Sequence, residues 1–238
     1  MATTFKQVLN RVLAIIGEEQ ISGATSSLTG TYQLLLGAML NDVKEEIEDG
    51  HNWRALRQIF TPTVTAGSLS ATISGANERS RVVRIAQGDR GDLIPLVFDI
   101  TDTAEPMPLT ELDLAELLYR DHADPDTRVE SPSYFAVDNA AGDVVSIMIW
   151  PRCTGDIDLK VTMTVPQAYL EADADLNTTI SIPSRPLIVG TAWYALEERG
   201  EELGVQGIYN QQRFTEALAT AISRDSAESG DTFELVVV

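Results

Sequence analysis

Apolar residues in this chain follow two different periods, and the order of the two constrains the fold more than any other feature: helical spacing at both ends, strand spacing between. At the start, Phe5, Val8, Leu9, Val12, Leu13 and Ile16 recur at three- and four-residue intervals until Gly17, and Thr4 with Gln7 has the spacing of a capping box. After a Ser/Thr/Gly-rich link at Ser22 to Ser27, a second stripe runs through Leu28, Tyr32, Leu35, Leu36, Met39, Leu40, Val43 and Ile47 and stops at Gly50. Together they predict an antiparallel helical hairpin whose faces bury each other, with Trp53 closing its end.

From Leu56 the period shortens. Ile59 to Thr65, Leu69 to Ile73, Arg81 to Ile85 and Ile94 to Ile100 are short β-branched runs separated by Gly67, Gly75, Gly88 and Gly91. An inserted helix is expected around 109–122, with Thr110 as its N-cap, Asp113 in its first turn, and Leu109 and Leu114 forming a hydrophobic staple. Strands resume at Tyr134 to Val137, Val144 to Trp150 and Ile157 to Val165, with Asn139-Ala140-Ala141-Gly142 as a turn, so the middle reads as a meandering antiparallel sandwich. Ile182-Pro183-Ser184-Arg185-Pro186 ends the β region; Leu187, Ile188, Ala192, Trp193, Ala195 and Leu196 give a helical face, and a last helix is expected from Tyr209 to Ser223. The fold class is therefore α+β. Residues 1–55 and 184–224 form a helical module from both chain ends, 56–183 form a β-sandwich-like module with the helical insert, and 225–238 form a flexible tether with an apolar tail, Thr232-Phe233-Glu234-Leu235-Val236-Val237-Val238.

Charge narrows the function. Asp plus Glu number 36 against 17 Lys plus Arg, a net charge of -19, which argues against a protein that binds nucleic acid by neutralising phosphates. The excess is concentrated: residues 99 to 175 hold 17 acidic and 4 basic side chains. Scattered carboxylates of this kind make a solvated face, or line a passage along which a polyanion slides without sticking. The single cysteine, Cys153, excludes an intramolecular disulfide and a Cys-based zinc site, which fits a reducing compartment; no secretory signal or membrane span is expected.

Signals for chemistry are sparse. There is no Gly-rich phosphate loop, nucleophile elbow or pair of histidines at metal-ligand spacing, so no catalytic residues, no metal and no cofactor are expected, and the chain is not read as an enzyme. Asp121-His122-Ala123-Asp124-Pro125-Asp126 reads as a capped helix end with a turn ahead of a metal site. His51 beside Gly50 reads as a helix-terminal cation, Cys153 beside Arg152 as a packed residue ahead of a low-pKa thiol, and Glu197, Glu198, Glu201 and Glu202 as a solvated face ahead of paired acid and base groups.

The order of these pieces resembles the head-to-tail adaptor (connector) proteins of short-tailed and related tailed bacteriophages. The resemblance is carried by Thr4-Phe5-Lys6-Gln7-Val8-Leu9-Asn10-Arg11-Val12-Leu13 with Ile16-Gly17-Glu18, by Trp53-Arg54-Ala55-Leu56, Ile149-Trp150-Pro151 and Leu159-Lys160-Val161-Thr162, and by Ile182 to Ala192. It implies a structural virion protein of the neck, made in the host cytoplasm: a ring homo-oligomer of about twelve copies that joins the portal protein to a tail or nozzle protein and leaves a negatively charged channel for DNA. It also implies that Thr232 to Val238 bind the portal. Asp113, Glu116, Asp121, Asp124 and Asp126 would then face the channel or a ring interface. Another neck or tail-completion (stopper) component is the alternative, and a glycan-degrading virion enzyme ranks below it.

Overall fold

The computed structural model describes residues 3–22, 30–87, 92–141, 144–170, 175–200 and 205–229. In chain order the elements begin with β1 (Thr3–Thr4), α1 (Phe5–Ile15), α2 (Thr31–Asp49), a 3-10 turn at Arg54–Leu56, β2 (Arg57–Phe60), β3 (Thr63–Val64) and β4 (Ser70–Ile73). They continue with β5 (Arg81–Val82), β6 (Arg84–Gln87), β7 (Asp92–Pro95), β8 (Val97–Asp99), β9 (Met107–Pro108), β10 (Thr110–Glu111) and α3 (Leu114–Ala123). The remainder are β11 (Arg128–Val129), β12 (Tyr134–Ala141), β13 (Val144–Trp150), β14 (Arg152–Cys153), β15 (Ile157–Thr164), β16 (Thr179–Ile180), α4 (Ser184–Glu198) and α5 (Val205–Ser229). The chain is α+β and divides into two compact units, residues 1–56 with 167–238, and residues 57–166.

In the first unit the capping box forms as its spacing predicts: the Thr4 hydroxyl accepts from the Gln7 amide and the Gln7 side chain accepts from the Thr4 amide. The expected hairpin is corrected. α1 and α2 meet chiefly through α4, which also carries α5. Leu187, Ile188, Thr191, Ala192 and Ala195 of α4 are buried on one side, Pro186 and Gly190 are buried beyond it, and Val189, Trp193 and Leu196 pack against the core from the rest of the helix, so its apolar residues do not fall on one face. Its close packing depends on Gly190: a Cβ there would lie 2.7 Å from Val43 Cγ1 and 2.9 Å from two ring carbons of Phe214. Trp53 is buried and donates its indole N–H to the Ile47 carbonyl at 2.7 Å, closing the end of α2 as expected.

The module boundary moves from 183 to 166. Leu170, Leu176, Ile180 and Ile182 join the core of the helical unit, and polar groups of α2 hold the segment in place. The Asn41 amide donates to the Leu170 carbonyl at 3.1 Å and accepts from the Leu170 N–H at 3.0 Å. Lys44 and Glu48, an ion pair with both side chains fully buried, reach the Gln167 carbonyl and amide at 2.7 and 3.3 Å. β1 then pairs with β16 antiparallel, Thr3 opposite Ile180. The expected tether also moves. α5 runs to Ser229, past the expected end at Ser223, with Ser226 buried and Asp225 hydrogen-bonded to His51, so residues 225–229 are helical.

The second unit is a β sandwich, though not a meander. One sheet has the order β10-β12-β13-β4; the other has β2-β15-β8-β9, with β3 and β5 also on β15. Adjacent strands pair in β6–β7, β8–β9 and β12–β13, whereas β15 gathers β2, β3, β5 and β8 from far earlier in the chain. Most pairs are antiparallel, but β10–β12 and β11–β14 are parallel. Val145, Ile147 and Ile149 of β13 and Ile157, Leu159, Val161 and Met163 of β15 alternate with less buried neighbours and share one core, as period-two strands predict. Asn139 to Ala141 are strand residues of β12 where a turn was expected, and the register there is irregular between Asp138 and Ala141. The inserted helix starts later than expected: Asp113 is its N-cap, accepting from the Ala115 amide at 2.8 Å, while Thr110 lies in β10 and Leu109 is buried in the sandwich core.

Candidate interaction surfaces

The acidic candidates cluster on and after α3, and four of the five have a partner within the β unit. Asp113 caps the helix; Glu116 pairs with Arg120 one turn on, at 2.6 Å. Asp121, only 9% exposed, makes a two-pronged ion pair with Arg152, Nε to Oδ1 at 2.7 Å and Nη2 to Oδ2 at 2.6 Å. That guanidinium holds the Asp121 carboxyl below the usual carboxylate range. Asp124 accepts from the Thr127 hydroxyl, and Asp126 is exposed. Two of the five carboxylates are therefore neutralised by arginines in place. The Arg120 guanidinium also sits 5.0 Å from the Tyr134 ring centre and 5.4 Å from that of Trp150, which fixes α3 on β12 and β13 by cation–π attraction. Leu118 and Tyr119 of α3 are exposed.

The helical unit has two distinct ends. At one, Arg199 just past α4 donates to the Ile16 carbonyl at 3.3 Å, pairs with Glu18 and lies 4.5 Å above the Tyr32 ring. This joins the C-terminal ends of α1 and α4 to the N-terminal end of α2, and α5 begins a few residues after Arg199. The same end exposes Ile15, Leu34, Leu35, Ile208 and Tyr209, the last two at 58% each. Isolated exposed apolar residues are ordinary; these five lie on the C-terminal end of α1 and the N-terminal ends of α2 and α5.

At the opposite end, α2 and α5 finish where α4 starts. His51 Nε2 lies 3.0 Å from the Asp225 carboxylate, which also accepts from the Arg54 amide at 3.2 Å, and the His51 ring meets Trp53 edge-on at 4.8 Å. Two concavities share Pro183 and Asp225. The smaller, about 220 Å³, is floored by Pro186, Ala217 and Ala221 and rimmed by Arg185 and Arg224; the larger, about 530 Å³, runs along Ile180 and Ile182 towards Trp53.

Other sites read from sequence resolve separately. Cys153 is buried, and burial, helped by the Asp99 carboxylate, pushes its thiol up to about 11, so the neighbouring Arg152 does not activate it; that guanidinium is engaged by Asp121. Glu197 and Glu198 border a shallow cavity with Met39, Asp42 and Tyr194, whose phenol is raised chiefly by burial and then by Glu46, while Glu201 and Glu202 lie outside the described residues. So do Thr232, Phe233, Glu234, Leu235, Val236, Val237 and Val238. Among the described residues no group of His, Cys, Asp and Glu could hold a metal ion, and no helix is long and apolar enough to cross a membrane. Two features went unread in the sequence: the Arg199 junction and the arginine-rimmed groove, whose residues lie far apart in the chain. No family model matches this chain, and no curated protein matches it.

Proposed function

We propose that this protein is a head-to-tail adaptor of a tailed bacteriophage, a non-catalytic subunit of a ring that docks under a portal and leaves an acidic channel for DNA. The observation that carries the reading is the apolar end of the helical unit, where Ile15, Leu34, Leu35, Ile208 and Tyr209 stand exposed. A ring needs such a patch, because each subunit must offer a neighbour an adhesive face distinct from the one it receives. Two further observations support it: a helical unit built from both chain ends around an inserted β unit, in the order the resemblance implies, and a charge of -19 per subunit, which in about twelve copies gives a wall that repels DNA and does not grip it.

Mixing the purified chain with portal rings and imaging by cryo-microscopy tests the proposal. A ring of about twelve copies on the portal, lost when Phe233 to Val238 are deleted and weakened by Leu34→Asp with Tyr209→Asp, is the expected result. Portal rings that stay bare beside folded wild-type protein would overturn it.

A further inference from the structure

The groove at the far end of the helical unit combines three properties that together specify an occupant. It is small and apolar at its base: about 220 Å³ over Pro186, Ala217 and Ala221, below the roughly 300–1,000 Å³ of ordinary small-molecule sites, and suited to one large side chain. It continues past the shared Pro183 into the longer trough along Ile180 and Ile182, so it accepts extended chain and not a compact ligand. Its rim is cationic in an acidic protein. Arg185 and Arg224 are exposed, and neither has an ion-pair or hydrogen-bond partner among the described residues, whereas Arg84, Arg120, Arg152 and Arg199 all hold carboxylates.

We propose that this groove receives the chain's own segment Thr232–Val238, with Phe233 in the recess and Asp231 and Glu234 facing Arg185 and Arg224. Proximity supports the choice. Asp225 already lines the groove, and Phe233 follows it by only eight residues in the chain, so the segment is tethered beside the recess. Composition supports it too: Phe233, Leu235, Val236, Val237 and Val238 match the apolar base, and the two acids match the rim. A tether this short gives an effective concentration in the millimolar range, so an interaction too weak to detect between separate molecules fills the groove within one. The inference goes beyond the adaptor reading and stands without it, since it concerns the free subunit. If both hold, the groove keeps the adhesive tail at home until a stronger site competes for it.

Hydrogen exchange of residues 230–238 in the full-length chain at 1 µM tests this with no partner present. Amides of the tail are expected to exchange at least about tenfold more slowly than in Arg185→Glu/Arg224→Glu, and Phe233→Ala is expected to lose the same protection while the helical unit keeps its own. Tail amides that exchange at unstructured rates in the wild type would overturn the proposal. So would protection that survives both variants, or protection that grows between 1 and 100 µM, which would assign the groove to a second copy's tail.

Discussion

Gly190→Ala should destabilise the helical unit, although alanine is the better helix former by about 1 kcal/mol. The reason is distance: the new methyl would sit 2.7 Å from Val43 Cγ1 on α2 and 2.9 Å from Phe214 Cδ2 and Cε2 on α5. Because the obstacles lie on two different helices, turning one side chain cannot clear both, and the cost belongs near the top of the ~1–3 kcal/mol range for overpacking a tight core. Set against the propensity gain, the net loss is about 2 kcal/mol. For a chain of this size that lowers Tm by about 4–8 °C, or the urea midpoint by about 1 M at a slope near 2 kcal/mol/M. Tryptophan fluorescence follows the transition through buried Trp53. Gly155→Ala is the control, since nothing lies within 4 Å of its Cβ position, and its effect should stay within about 0.5 kcal/mol. Adding Val43→Ala to Gly190→Ala should cost less than the two single changes summed, because the first removes one of the clashes. A Gly190→Ala protein as stable as the wild type, or more so, would refute the claim that three helices close on this glycine.

Asp121→Asn should cost about 1.5–3 kcal/mol near pH 7 by leaving Arg152 without its charged partner, read from urea unfolding. Since the folded-state pKa of Asp121 lies below its ordinary 3.8, the wild type holds this contribution above that value and loses it as pH falls further, so the gap between the two proteins should close below about pH 4. Lys44→Met should cost about 3–5 kcal/mol by stranding a buried Glu48, and Lys44→Met with Glu48→Leu should recover part of it; equal Tm values for the single and double variants would contradict this. Cys153, with its thiol near 11, should resist maleimide at pH 8 in the native protein and label within minutes once unfolded in urea.

What the sequence discloses depends on how local each determinant is. The start of α1 needs only Thr4 and Gln7, three residues apart, and could be read directly. The alternation along β13 and β15 told which residues face inward, but not that β15 would collect β2, β3, β5 and β8, because a period carries no information about partners. α4 was read as one-faced because amphipathic helices usually are; at the centre of a bundle the pattern widens to the whole circumference. Residues 167–170 and 175–183 have no single period, and they join the helical unit through Leu170, Leu176, Ile180 and Ile182 in its core and through Asn41, Lys44 and Glu48, more than a hundred positions away from the Gln167 and Leu170 they hold. The same applies to the candidate surfaces. The helix cap of Asp113 is local, whereas the Asp121–Arg152 pair, the Arg199 junction and the groove between Arg185 and Arg224 exist only once distant segments meet.

The division of the helical unit between the two ends of the chain has a consequence for how it is made. α1 and α2 leave the ribosome with their apolar stripes complete, but α4, the partner that covers them, is finished ~150 residues later, which at roughly 5–20 residues per second is about 8–30 s. The β unit lies wholly inside that interval and can close while the first two helices wait. Nascent chains should therefore recruit holdase chaperones at the N-terminal helices, and slowing translation across the β unit should lengthen that exposure and lower soluble yield without changing a single native contact.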